Sequence, residues 1–185
     1  MRLTPSGSQT VGPFFRIGLE HLCAKDAAAK VDDAEVVRVR GRVFDGDGVP
    51  VPDAVLEIWH ADAEGRFGAA EPDQSGRSAC FTRAATNDDG SFCFAIPRPG
   101  AIAYGEGKKQ APHFAVLVFA RGLLRHLMTR MYFPGDPANA EDPVLQWVPE
   151  VRRSTLIARV NPQGRGELEW NVVLQGNDET VFFSW

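Results

Sequence analysis

Residues 37–48 read VRVRGRVFDGDG, and this stretch sets the pattern for the rest of the chain. Valine or glycine at positions 37, 39, 41 and 43 alternates with Arg38, Arg40 and Arg42, which is the period-2 pattern of a half-buried strand. The two Asp-Gly pairs that follow predict a tight turn. Residues 45–48 also resemble the start of a calcium-binding loop, but the later oxygen ligands and the closing Glu are missing. The segment therefore predicts a strand followed by a turn.

Strand signals of the same kind recur along the whole chain, with turns between them. The apolar run at 113–120 predicts a central strand covered on both faces, and residues 87–90 predict a hairpin turn. The other predicted strands cover residues 54–60, 81–82, 92–96, 124–133, 155–160, 167–174 and 181–183. Strands at a spacing of roughly 8–12 residues, with no clear 3.6-residue period, favour a mainly all-β fold, a sandwich or a barrel with little helix.

The length of 185 residues predicts a single domain, at roughly 150 residues per domain. We expect residues 1–35 to form an N-terminal arm and loop, and residues 36–185 to form the β domain. An arm of this kind is disordered unless something holds it. The apolar side chains of Val11, Phe14 and Phe15 indicate that packing contacts hold this one.

Composition narrows the possible classes of protein. The net charge of −4 argues against a nucleic-acid binder. The longest apolar run, 114–120, is far shorter than the roughly 20 residues that span a bilayer, and no charged-then-apolar leader opens the chain. The three cysteines, Cys23, Cys80 and Cys93, are odd in number and lack a CxxC spacing, which is typical of reduced thiols. We therefore expect a cytoplasmic protein.

Side chains that could carry chemistry are few. The sequence has four His and two Tyr, and no two His have the i, i+2 spacing that places both on one face of a strand. His113 comes nearest, but position 115 is Ala, so a hydrogen-bonded structural His is the favoured interpretation. Arg121 follows the apolar strand at a glycine turn, where functional side chains often lie. From these residues alone, a functional Arg and a surface Arg remain equally possible.

Several segments together resemble the intradiol ring-cleavage dioxygenases, in family order and nearly from end to end. Those at the arm, the Ala-Arg-Gly turn and the C-terminus are similar to the alpha chains of the two-chain members. The matching segments are TPS at 4–6, QTVGPF at 9–14, IGL at 17–19, GRVFDGDG at 41–48, LEIWHAD at 56–62, APH at 111–113, FARG at 119–122, TRMYF at 129–133, LQG at 174–176 and ETVFF at 179–183.

The resemblance implies a mixed β-sandwich and a catalytic chain that holds Fe(III) with two Tyr and two His. In this chain His113 matches one His ligand, whereas Ala115 replaces the other. Tyr104 is displaced by about two positions from the first Tyr, and residues 67–77, which match the segment of the second, contain no Tyr. Fe(III) is a hard ion that favours anionic phenolate oxygen. We therefore expect this chain to hold no metal, and the iron to be bound by a partner beta chain.

The resemblance also implies a role for the chain in a hetero-oligomer of αβ units. The arm would line the active site of the beta chain, with Thr10, Gly12, Pro13 and Phe14 in the wall of the substrate pocket. Arg121 would act as a catalytic residue facing the carboxylate of 3,4-dihydroxybenzoate, which the enzyme cleaves with O2 to 3-carboxy-cis,cis-muconate. Phe14 departs from the hydroxylated aromatic residue common at its position, which leaves stacking and removes a hydrogen bond.

Two alternatives remain open at this point. The chain could be a self-sufficient intradiol enzyme with rearranged ligands, which the count of Tyr and His opposes. It could also be a non-enzymatic, transthyretin-like binding domain, because such modules share the strand and turn pattern of residues 39–59. The N-terminal arm and the Arg121–Gly122 turn argue against that second alternative.

Overall fold

The computed structural model describes residues 6–23, 36–67, 80–164 and 166–184, and most of these residues belong to β-sheets or their connections. The strands are β1 Val36–Phe44, β2 Val55–Trp59, β3 Phe81–Ala85, β4 Ser91–Pro97, β5 Ile102–Tyr104, β6 Lys108–Gln110, β7 His113–Phe119, β8 Leu127–Tyr132, β9 Arg159–Val160, β10 Glu167–Glu169 and β11 Val172–Val173. The helices are α1 Pro13–Leu19 and α2 Glu150–Arg153, with 3-10 turns at Glu20–Leu22, Pro137–Ala140 and Leu145–Trp147.

Two sheets face each other across one hydrophobic core, so the fold is the mixed β-sandwich that was expected. In the first sheet, β4 runs antiparallel to β1, whereas β10 and β11 run parallel to β1 on its other edge. The second sheet has the antiparallel order β3-β2-β7-β8. A separate two-stranded ribbon joins β5 to β6. The core between the sheets includes Val39, Leu56, Ile58, Phe94, Phe114, Val116 and Val118.

The alternation in β1 is confirmed by its burial. Positions 37, 39, 41 and 43 are buried, and the three arginines between them are exposed. In β2 the alternation is only partial, because Leu56 and Ile58 are fully buried and Trp59 is 44% exposed, but Val55 is fully buried as well. Alternating burial places one face of each strand in the core because successive side chains point to opposite faces of a sheet.

The turn at 87–90 is present, but the predicted hairpin is wrong. Asn87 N–H donates to the Ser91 carbonyl at 2.7 Å, and Gly90 has the positive φ of 72° that closes the turn. The strands on either side belong to different sheets, because β3 pairs with β2 and β4 pairs with β1. The turn therefore carries the chain from one layer of the sandwich to the other.

Several predicted strands are shorter in the structure, and residues 167–174 divide into β10 and β11. Residues 155–160 form a strand only at Arg159–Val160, because α2 and the turns after it occupy 150–156. Residues 124–133 become extended from Leu127, and residues 181–183 pair only through a bridge between Phe183 and Met128. Residues 24–35, which include the loop expected at the end of the N-terminal region, lie outside the described residues. The division of the chain at residue 35 stays a prediction for the same reason.

Within the described residues, no helix is long and apolar enough to cross a bilayer. The two α-helices span seven and four residues, and both are set by local features of the backbone. Pro13 is the first residue of α1, and Gly12 before it is extended. Proline suits this position because its φ is fixed and because an N–H in the first turn of a helix has no partner within the helix. Helix content is low, as the sequence predicts.

At Gly41 in β1, the backbone of Trp170 approaches the strand closely. A Cβ atom at this position would overlap the Trp170 carbonyl oxygen and would lie 2.8 Å from the end of the Phe92 ring. Trp170 N–H donates to the Arg40 carbonyl at 2.9 Å, and Asn171 Oδ1 accepts from Arg42 N–H at 2.9 Å. The backbone at Trp170 is therefore fixed on both sides and cannot move away.

We predict that Gly41→Ala lowers the free energy of unfolding by about 2–3 kcal/mol, because an overpacked site forces the backbone to shift. Urea denaturation of the full chain measures this change. Gly18→Ala is the matched control, because Gly18 lies in α1 and a Cβ atom there would meet no other atom within 4 Å. Equal stability of the two variants would show that the close approach at Gly41 is not needed.

Candidate functional site

The turn after β7 presents Arg121 at one end of the strands of the second sheet. Ala120 is fully buried, and Gly122 adopts a positive φ of 86°, which lets the chain turn sharply at this point. The Arg121 side chain is 64% exposed, and its Nε lies 3.5 Å from Asp53 Oδ1, just before β2. The guanidinium thus has a carboxylate beside its Nε, while most of the side chain remains exposed.

The N-terminal arm docks on this same turn. Thr10 Oγ1 accepts a hydrogen bond from Gly122 N–H at 2.7 Å, joining residues 112 positions apart in the sequence. The Phe15 ring packs on the Phe119 ring, with 5.3 Å between the ring centroids. The structure therefore brings Thr10 to the Arg121–Gly122 turn, although no motif of the sequence connects the two segments.

Phe14 does not hold the arm in place, contrary to the expectation from its apolar side chain. It is 82% exposed at the start of α1, while Phe15 makes the packing contact described above. Gly12 and Pro13 are also exposed on the surface of the arm. These three residues thus form an outward-facing surface beside Thr10.

A cavity of about 770 Å³ lies between the arm and the β7–β8 connection. Its lining residues are Gln9, Val11, Phe119, Ala120, Leu123, Leu124, Arg125, His126, Leu127, Met128, Phe182, Phe183 and Ser184. Thr10 and Arg121 are sequence neighbours of this lining but do not belong to it. In the described part of the chain, the five predicted site residues therefore lie on an open surface beside the cavity.

A second polar cluster is buried on the outer face of the same sheet, around His113. Its Nδ1 lies 2.8 Å from the Ala111 carbonyl, so this nitrogen carries the proton and donates it. Burial is the main reason that the pKa of His113 falls to about 4, and the nearby Arg130 charge lowers it further. His113 is thus neutral at pH 7 and hydrogen-bonded to the Ala111 carbonyl, which agrees with the interpretation as a structural His.

Asp142 organises the rest of this cluster. Its side chain is fully buried and accepts hydrogen bonds from the Ala111, Val144 and Leu145 N–H groups at 2.7–2.9 Å. The Tyr132 hydroxyl donates to Asp142 Oδ1 at 3.1 Å. The carboxylate therefore fixes the loop after β8 against the start of β7.

The residues around His113 do not fit the ferric site that the resemblance implies. Ala115 offers only a methyl group, and Tyr104 lies in the ribbon strand β5 instead. Tyr132 is close, with its ring centroid 5.4 Å from that of His113, but burial raises the pKa of its phenol, so it stays a neutral donor. Among the described residues, no group of three or more His, Cys, Asp or Glu side chains is placed to hold a metal ion.

Sequence reasoning missed Arg130, Tyr132 and Asp142 as members of one cluster. The usable signal is a charged residue inside an apolar strand, since Arg130 stands between Thr129 and Met131 and is only 8% exposed. A buried charge needs partners nearby, so such a residue indicates a polar cluster. Its partners come from a loop and another strand, which the sequence pattern does not identify.

Comparison with known proteins places these features in a family. A family model described as "Dioxygenase" matches residues 12–176. The chain is 43% identical to a protocatechuate 3,4-dioxygenase alpha chain from Burkholderia cepacia, covering 99% of this chain and 98% of the relative. It is 32% identical to the beta chain from the same organism, covering 94% of this chain and 77% of the relative. The solved dioxygenase domain of a carbohydrate-binding fusion protein from Streptomyces sp. SirexAA-E superposes with a TM-score of 0.59 at 27% identity, covering 80% of this chain and 85% of that one.

We predict that protonation of His113 destabilises the fold below neutral pH. The unfolded chain binds this proton near pH 6.5 and the folded chain only near pH 4, so the contribution is complete above about pH 6.5 and is lost as the pH falls to 4. Between pH 7 and pH 4 the native chain should lose about 3 kcal/mol more stability than His113→Gln, measured by urea denaturation. The same loss in both proteins would contradict a neutral, buried His113.

Proposed function

Because this chain belongs to the intradiol dioxygenase family, we propose that it is the alpha chain of a protocatechuate 3,4-dioxygenase. The enzyme cleaves 3,4-dihydroxybenzoate with O2 between the two hydroxyl-bearing carbons, giving 3-carboxy-cis,cis-muconate. The observation that carries the assignment is the 43% identity over almost the full length of an alpha chain. The lower identity to a beta chain, 32%, supports the same choice.

We further propose that the family's non-haem Fe(III) is held by the partner beta chain and not by this chain. The support is chemical, because the His113 cluster offers a neutral phenol and a methyl group where a ferric ion needs anionic oxygen. Activation of the bound catecholate therefore belongs to the partner. The same deficit disfavours a self-sufficient enzyme, and the family match over residues 12–176 disfavours a transthyretin-like binding domain.

In this proposal the arm and the Arg121 turn complete the pocket of the beta chain. Thr10, Gly12, Pro13 and Phe14 form part of the pocket wall, and the bond from Gly122 N–H to Thr10 holds that wall at a fixed distance from Arg121. The Arg121 guanidinium, steadied by Asp53, faces the carboxylate of the substrate. Phe14 is exposed in this chain and contributes a stacking surface without a hydrogen bond.

The assembly is proposed to be a hetero-oligomer built from αβ units. The outward-facing residues at the start of α1 support it, because large apolar side chains such as Phe14 and Ile17 are 82% and 57% exposed in this chain. Such surface favours burial against another chain. We place the assembly in the cytoplasm, which agrees with the free thiols of Cys23 and Cys93.

Reconstitution tests the proposed function directly. We predict that the purified chain shows no O2 uptake with 3,4-dihydroxybenzoate, and that co-expression with its beta chain gives a complex that forms 3-carboxy-cis,cis-muconate. The beta chain purified alone is the control for what this chain contributes. Turnover by this chain alone, with one iron bound per chain, would contradict the assignment and favour a self-sufficient enzyme.

Arg121→Ala tests the carboxylate contact in the assembled enzyme. A charge-assisted hydrogen bond contributes about 1.5–3 kcal/mol, so we expect KM for 3,4-dihydroxybenzoate to rise roughly ten- to a hundredfold with the iron content unchanged. Inhibition by catechol, which lacks the carboxylate, should be unaffected. Arg42→Ala is the matched control, because Arg42 is also exposed and also paired with an Asp, but lies on the other sheet. Unchanged KM and kcat in Arg121→Ala would rule out this role.

A further inference from the structure

The register between β7 and β8 places Arg130 directly opposite Ala115. His113 faces Tyr132 across the same pair of strands, two residues along. Because side chains two residues apart share one face of a strand, these four side chains lie together on the outer face of the second sheet. Arg130 is thus the cross-strand neighbour of the position where the second His ligand is missing.

Arg130 is a buried cation with well-defined contacts. It is 8% exposed, and its Nη1 donates to Gln110 Oε1 at 2.9 Å and to the Tyr132 hydroxyl at 3.3 Å. The guanidinium carbon lies 5.9 Å from the centroid of the Phe183 ring. Its Nε has no hydrogen-bond partner within the described residues. The charge is therefore fixed inside the cluster and not displaced to solvent.

The buried carboxylate of Asp142 balances the charge of Arg130. Tyr132 accepts from Arg130 and donates to Asp142, so the cation and the carboxylate are linked through a single phenol. The remaining capacity of Asp142 is taken by three backbone N–H groups. A metal ion beside His113 would bring a second buried positive charge without a further anion, and an uncompensated buried charge is strongly unfavourable.

We propose that Arg130 closes this part of the fold to metal ions, because its guanidinium supplies the positive charge at the position opposite Ala115. The loss of metal binding then has two causes, the missing His ligand and the resident cation. Restoring a His at position 115 alone does not restore a site. This inference concerns the side chains of this chain only, so its failure would leave the proposed function intact.

Metal titration of three full-length proteins tests the proposal, with Co²⁺ as the probe. The proteins are the native chain, Ala115→His, and the double variant Ala115→His/Arg130→Gln. Glutamine is neutral and keeps a donor and an acceptor for Gln110 and Tyr132. We expect the double variant to bind Co²⁺ at least a hundredfold more tightly than Ala115→His, by calorimetry and by the visible absorption of bound Co²⁺. The native chain should bind no Co²⁺ at the same concentrations.

The matched control removes a different arginine from the same sheet. Arg83 lies on β3, two strands away from β7, and is paired with Glu57. Ala115→His/Arg83→Gln should therefore behave like Ala115→His alone. Circular dichroism melting identifies any variant that fails to fold. If glutamine is not tolerated at 130, methionine replaces it, because a buried ionic group is often exchanged for an apolar one of similar volume without loss of stability.

Lysine at position 130 separates the effect of charge from that of shape. Ala115→His/Arg130→Lys should bind Co²⁺ no more tightly than Ala115→His, whereas the glutamine or methionine double variant should bind it more tightly. The proposal is overturned if Ala115→His alone binds Co²⁺ as tightly as the neutral double variant. It is also overturned if folded neutral double variants bind no more tightly than Ala115→His, since Arg130 would then not be what excludes the ion.

Discussion

The close approach of Trp170 to the backbone of β1 at Gly41 is the constraint on which the rest of the structure depends. It lets β10 and β11 follow one edge of β1 in succession, with the chain bending away between them. The Trp170 indole Nε1 donates to the Thr155 carbonyl at 3.1 Å, and Thr155 Oγ1 accepts from Val181 N–H at 3.2 Å. The C-terminal segment is thereby held over β8, where Phe183 covers Arg130.

The outer face of the second sheet carries two polar features with different purposes. Around His113, the charges of Arg130 and Asp142 are buried and linked to each other through Tyr132. This cluster therefore stabilises the loop after β8 and offers no free charge to a ligand. At the Arg121 turn, the guanidinium has one carboxylate neighbour and is largely exposed, which leaves it able to bind an anion. The same sandwich thus supports a closed polar interior at one end of β7 and an open cationic surface at the other.

The sequence predicts the strands well where one face is buried and the other is polar, because period-2 alternation records that environment directly. For β1 the pattern is therefore sufficient, whereas in β2 it misses the burial of Val55. It fails for α2 and the 3-10 turns between residues 137 and 153, because they are too short to show a helical period. The first of these turns begins with a local cap, in which the Asp136 side chain accepts from Ala138 N–H. It also cannot supply register, because the pairing of Ala115 with Arg130 depends on how two distant strands align. Arg121 could be chosen as a candidate from its glycine turn, but the docking of the arm on the neighbouring Gly122 could not be predicted.

The hydrogen bond between Thr10 and Gly122 also makes one amide a reporter of the arm. Gly122 N–H donates to Thr10 Oγ1 and lies in an exposed turn, outside the sheet ladder. Exchange of this proton with solvent deuterium therefore follows undocking of the arm and not unfolding of the sandwich. A single glycine resonance separates the local stability of the arm from the global stability of the protein, and it does so without any change to the sequence.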